Sequence, residues 1–133
     1  GSEEMAIAKA ALGDTAEEKR LADAFLAMKD PREKMRLAAV LGRVATPAAL
    51  AALASEMRTD LVYEMPNVMR RSVRLDILAA LSKSYPDKTF LWDNALSSDE
   101  DYARVEAFCE ATFGTKWKTP RPPYLTIQGF PGH

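Results

Sequence analysis

Val73-Arg74-Leu75-Asp76-Ile77-Leu78-Ala79-Ala80-Leu81-Ser82 is the stretch from which the fold can be read. Val73, Ile77, Leu78 and Leu81 fall at the spacing that gathers side chains on one face of an α-helix. Alanine and leucine, the residues that fill it, are strong helix formers. Working outward, its closing Leu81-Ser82 has counterparts at Leu12-Gly13, Leu41-Gly42 and Phe113-Gly114. Each closes an alanine-rich, helix-patterned segment. The steps between them are roughly 30, 40 and 30 residues, the period of helix-pair repeats. The long middle step fits about ten residues inserted between Arg58 and Val68.

Local punctuation places about seven helices. Residues 3–12 form the first, closed by Gly13, where glycine accepts the left-handed conformation of a helix end. Thr15-Ala16-Glu17-Glu18 has the form of a capping box and opens a second helix to about Lys29. Asp30-Pro31 and Thr46-Pro47 both pair a capping side chain with a proline suited to the first helical position. They open helices that run through Val44 and to about Arg58. Thr59 to Asn67 breaks the rhythm, and a fifth helix runs from Pro66 to about Ser84. That helix carries Arg70 and Arg74 one turn apart. Pro86-Asp87 starts a sixth from Lys88 to Leu96, and Ser98-Asp99-Glu100-Asp101 caps a seventh that ends at Gly114. Acids suit the positive N-terminal end of that last helix. No alternating strand pattern stands out before residue 115. Pro120, Pro122, Pro123 and Pro131 keep residues 115–133 from forming a regular helix. The expected architecture is all-α, an α-α superhelix of antiparallel helix pairs over residues 1–114, followed by an extended proline-rich tail.

The repeat resembles the HEAT-like superfamily, in particular the short repeats of phycobilisome-lyase-like proteins, over about residues 3–114. That pattern runs from an arginine through small and apolar residues to Leu-Gly. Arg74 fills the arginine slot best. Lys34 falls there in the earlier repeat, before Leu37, Ala38, Leu41 and Gly42, and Glu106 falls there in the last, a departure from the pattern. The resemblance implies that Arg74 belongs to a hydrogen-bonded ladder between repeats. It also implies that second helices, roughly residues 16–29, 47–58 and 88–97, line a concave binding surface. One such pair cannot bury its own apolar face, so stacked neighbours build the core. Both solenoid ends then present apolar faces to be covered by the tail, a second copy or further parts of a larger protein. A homodimer would form through those ends or the tail.

The formal net charge of −1 is not the footprint of a general nucleic-acid or membrane binder. Charge is nevertheless uneven. Asp99, Glu100, Asp101, Glu106 and Glu110 make the last helix acidic, and Lys116, Lys118 and Arg121 make the tail basic, so the two surfaces are complementary. Trp117, Tyr124, Leu125, Ile127 and Phe130 supply the tail with apolar side chains to pack back on the last helices. Cys109 is the only cysteine, so no internal disulfide forms, and its place on the helical pattern makes it a buried, inert residue. No apolar run approaches the ~20 residues that span a bilayer. No targeting signal is visible, and the default location is cytoplasmic. Gly1-Ser2 reads as a cloning remnant, so the natural N-terminus can lie elsewhere.

Catalytic signals are missing. The only histidine is His133, which leaves neither a His/Cys zinc site nor a histidine-based triad. The six glycines are dispersed and form no phosphate loop. The chain reads as a non-enzyme without cofactor or metal. Binding candidates are Tyr63, Met65, Arg70, Arg71 and Arg74 around the inserted stretch, residue types enriched in interfaces. Trp92 follows Phe90 and Leu91, and three large apolar neighbours cannot all face one way on a helix. Trp117, Arg121 and Tyr124 lie in a tail whose Pro120 to Pro123 spacing suits a polyproline ligand or a self-packed strap. The leading reading is a protein-interaction scaffold or accessory module. A grip on a nucleic-acid backbone would need Arg70, Arg71 and Arg74 to share a face with Lys116, Lys118 and Arg121. A bilin-lyase-like chromophore chaperone is the third reading, suggested by the resemblance.

Overall fold

Most helices of the chain start where a short polar side chain closes the free N–H groups of a first turn. In the computed structural model, which describes residues 1–66, 69–92 and 96–125, these are α1 (Ser2–Ala11), α2 (Thr15–Ala27), α3 (Pro31–Val44), α4 (Pro47–Ser55), α5 (Val73–Ser82) and α6 (Asp99–Phe113). Asp30 accepts from the Glu33 N–H at 2.9 Å and Thr46 from the Ala49 N–H at 3.3 Å, each just before a proline. Ser72 and Ser98 cap α5 and α6 in the same way. At α2 the capping residue is Asp14, not Thr15: its carboxylate accepts from the Glu17 N–H at 3.0 Å. A carboxylate there also meets the positive end of the helix, and Thr15 becomes the first helical residue.

Two expected elements are corrected. The stretch read as an insertion followed by a helix from Pro66 is a small hairpin, β1 (Val62–Glu64) against β2 (Arg70–Ser72). The strands are antiparallel, with Val62 opposite Ser72, Tyr63 opposite Arg71 and Glu64 opposite Arg70. The fifth helix therefore starts at Val73, because Ser72 ends the strand and caps α5 in one step. Only Tyr63 and Ser72 are buried in these strands, so three-residue segments leave no alternation to read. The helix expected from Lys88 to Leu96 is, over Thr89–Leu91, a single 3₁₀ turn, and residues 93–95 lie outside the described set. Phe90 packs edge-on against Phe108, which also meets Tyr85. The tight turn buries Leu91 completely and turns Trp92 outward.

The core is continuous. α1, α2 and α3 pack together, α3 runs against α5, and α4 joins α2, α3, α5 and α6. Gly42 permits the close approach of α3 and α5, since a Cβ there would stand 2.9 Å from the Ala80 Cβ. At the N-terminal end α1 leaves Met5 and Leu12 exposed. Its Glu3 and Glu4 pair with Arg36 and Arg43 of α3. At the other end Gly114, at φ 69°, closes α6 with its N–H on the Glu110 carbonyl. That left-handed residue turns the chain back over the helices.

Candidate functional site

Among the described residues three charged side chains are buried: Lys34, Arg74 and Glu106. Each lies about two helical turns before Leu41, Leu81 or Phe113, which stand in the last part of α3, α5 and α6. A buried charge needs an opposite charge or hydrogen-bond partners: Lys34 and Glu106 have opposite charges, and Arg74 has neutral acceptors. Lys34 of α3 binds Glu56 beyond α4 and lies 4.8 Å from the centre of the Phe25 ring. Arg74 of α5 donates to the Ser72 and Tyr102 hydroxyls and, at 3.0 Å, to the Pro123 carbonyl. Burial pulls its guanidinium below the usual range, opposed by the Tyr102 contact. Glu106 of α6 takes Arg58 in a two-pronged pair at 2.7 and 3.0 Å and Arg121 at 2.8 Å. Burial pushes the Glu106 carboxyl up, but the hydrogen bonds and charges of the two arginines more than reverse this and hold it below the usual range.

Two of these charges reach the chain that follows α6. The Trp117 indole N–H donates to the Ala54 carbonyl at 3.1 Å, and Arg58 lies over the Trp117 ring at 5.1 Å. Arg58 also donates to the Thr119 carbonyl. Arg121 enters a slot made by one face of α6, where Asp99, Tyr102 and Glu106 follow at helical spacing. Its guanidinium stands 5.3 Å from the Tyr102 ring centre. The Tyr124 hydroxyl donates to Asp99, and Leu125 is buried with its N–H on the Leu96 carbonyl at 3.0 Å. Leu96, at φ 68°, is a left-handed non-glycine residue. Beneath residues 119–123 lies a cleft of about 480 Å³, lined in part by Lys34, Glu56, Arg58 and Asp60.

The candidate residues of the sequence therefore fall into three places. Arg74, Trp117, Arg121 and Tyr124 meet in this channel. Tyr63 and Arg71 brace the hairpin: the Tyr63 hydroxyl donates to Asp76 at 2.9 Å and Arg71 to its other oxygen at 3.2 Å. Burial, reinforced by the Asp76 contact, pushes the Tyr63 phenol up to about 12. Met65, Arg70 and Trp92 are exposed. Arg70 and Arg74 do not share a helix face, because Arg70 is in β2 and Arg74 in α5. Ile127, Phe130 and His133 lie outside the described residues. Arg58 and Tyr102 were not singled out by the sequence. The usable signal was the spacing of Asp99, Tyr102 and Glu106, which puts two carboxylates and a ring on one face.

Cys109 is buried, and desolvation, with the charges of Glu106 and Glu110, pushes its thiol up to about 12. Among the described residues no cluster of His, Cys, Asp or Glu could hold a metal ion. None of their helices is long and apolar enough to cross a membrane. Compared with protein-family models, curated proteins and solved structures, the chain matches none.

Proposed function

We propose that this chain is a HEAT-like helical-repeat module that binds other proteins and catalyses no reaction of its own. One observation carries the reading. An extended polypeptide segment already lies across α4, α5 and α6, held by arginine donors on its backbone carbonyls. Contacts to main-chain carbonyls suit a surface that accepts polypeptide. The repeat assignment is supported by the equivalent positions of Lys34, Arg74 and Glu106 and by the stacking of α3 on α5. The exposed Met65, Arg70 and Trp92 add interface-type side chains to the outer surface.

The nucleic-acid reading is less well supported, because three of its six basic residues are committed within the fold while Arg70, Lys116 and Lys118 are exposed. Arg71 pairs with Asp76, Arg74 is buried and Arg121 pairs with Glu106. The chromophore-chaperone reading has one buried cysteine to draw on. The test is affinity capture on the full chain from lysate of its source cells, with nuclease and without. A discrete protein retained after nuclease treatment is the expected result. Capture of nucleic acid that salt releases would replace this reading with the nucleic-acid one, and an empty bait would remove its support.

A further inference from the structure

Resting on that reading, we infer that the channel formed by Arg58, Arg74 and the Asp99–Tyr102–Glu106 face of α6 is a binding site for an extended proline-rich segment of another protein that carries an arginine, and that residues 115–125 occupy it in cis.

The chemistry of the channel selects such a ligand. Pro120, Pro122 and Pro123 have no N–H, so a segment of this kind presents mainly carbonyl acceptors. The channel answers with donors, Arg58 on the Thr119 carbonyl and Arg74 on that of Pro123. Between the two carbonyl contacts stands the arginine slot. Glu106 accepts Arg121 at 2.8 Å, Asp99 lies 3.8 Å from it, and Tyr102 stacks beneath. A guanidinium fits this forked, ring-floored site, whereas the point charge of lysine would not fill it. A ring donor upstream, as at Trp117, completes the match through the Ala54 carbonyl.

Along its middle the occupant is held by side-chain contacts on one side and open to solvent on the other. Lys118, Thr119, Pro120, Arg121, Pro123 and Tyr124 are all exposed, while Thr115 and Leu125 anchor the two ends. A tethered segment competes at an effective concentration of order millimolar. A segment from another protein therefore binds only as far as the tether yields. A second copy's tail would make the same contacts and meet the same competition from the tether, and it would show as a dimer of the wild-type chain.

The probe is a fluorescent peptide with the sequence of residues 115–125, titrated by anisotropy into three full-length chains: wild type, Arg121→Glu and Trp117→Ala. Arg121→Glu sets a third carboxylate between Asp99 and Glu106 and frees the channel, and Trp117→Ala loosens the segment without altering charge. Far-UV circular dichroism confirms that each chain is folded. Both variants are expected to bind the peptide at least ten-fold more tightly than wild type. A peptide carrying Arg121→Glu is expected to bind at least ten-fold more weakly. Equal binding by all three folded chains, or none by any, overturns the proposal. A wild-type dimer lost in Arg121→Glu would put a second copy's segment in the channel and overturn it too. A protein captured from lysate that binds wild type and both variants alike, undisturbed by the peptide, would leave the interaction reading standing and this site refuted.

Discussion

Glu106 and Asp76 are both carboxylates inside the fold, and their surroundings push them in opposite directions. Glu106 lies between two guanidinium groups, which outweigh its desolvation, so folding favours its ionised form. Its contribution to stability is present above the ordinary glutamate value of about 4.3 and is lost as pH falls through the depressed folded value. Asp76 is raised, because burial outweighs Arg71 and the Tyr63 hydroxyl. The folded state holds that proton more tightly. The contribution of Asp76 is therefore greatest below about 3.9 and declines as pH rises through its elevated folded value. Carboxyl carbon NMR of the native chain should give Asp76 a midpoint above that of an unstructured aspartate and Glu106 one below that of an unstructured glutamate. Two peptide-like midpoints would mean that the pairing at both sites is wrong. A second residue-scale consequence concerns Tyr63, whose hydroxyl donates to Asp76 at 2.9 Å. Tyr63→Phe deprives a half-buried carboxylate of one donor and should cost about 1–3 kcal/mol in urea unfolding. An unchanged midpoint would count against the brace.

Among the elements, the α3–α5 contact is the most tightly specified. A Cβ at Gly42 would stand 2.9 Å from the Ala80 Cβ, 3.1 Å from the Ala80 Cα and 3.2 Å from its carbonyl oxygen. Two of those atoms are backbone, so a new methyl group cannot be met by a rotamer change. Gly42→Ala raises helix propensity and yet should destabilise the chain by about 1–3 kcal/mol through overpacking. Adding Ala80→Gly should recover part of the loss, which thermal unfolding of the two single variants and the double variant can check. Stabilisation by Gly42→Ala would show that the helices stand further apart. The hairpin is the contrasting element. Its strands are three residues each, too short to stand alone. It is held by the Tyr63–Asp76–Arg71 group and by Arg32, which donates to the Glu64 carbonyl and lies over the Tyr63 ring.

At the scale of the whole molecule, contacts are unevenly shared. α3 touches α1, α2, α4 and α5 and also β1. α1 packs mainly on α2 and α3, with Met5 and Leu12 left in solvent. Its ion pairs to Arg36 and Arg43 are exposed, and such pairs contribute little. Local opening follows such contact density. Hydrogen exchange should therefore be slowest in α3 and α5 and distinctly faster in α1. The order would be reversed if α1 were the folding anchor of the chain.

The helical class, most helix starts and the buried positions of Leu41, Leu81 and Cys109 were legible in the sequence, because periodicity and capping act over one or two turns. The sequence spacing that places Lys34, Arg74 and Glu106 seven residues before Leu41, Leu81 and Phe113 likewise picked out three buried charges. Tertiary structure alone decided what each charge meets. Glu106 is acidic where Lys34 and Arg74 are basic, and only folding shows that Arg58 and Arg121 compensate for it across 48 and 15 residues of chain. The hairpin escaped notice for a related reason. Met69 to Ser72 contains no apolar alternation, and the register that makes it a strand comes from its pairing with Val62–Glu64. Local patterns record the interactions of a residue with its chain neighbours. A partner far along the chain leaves no period in the sequence, and the channel over α6 is made of such partners.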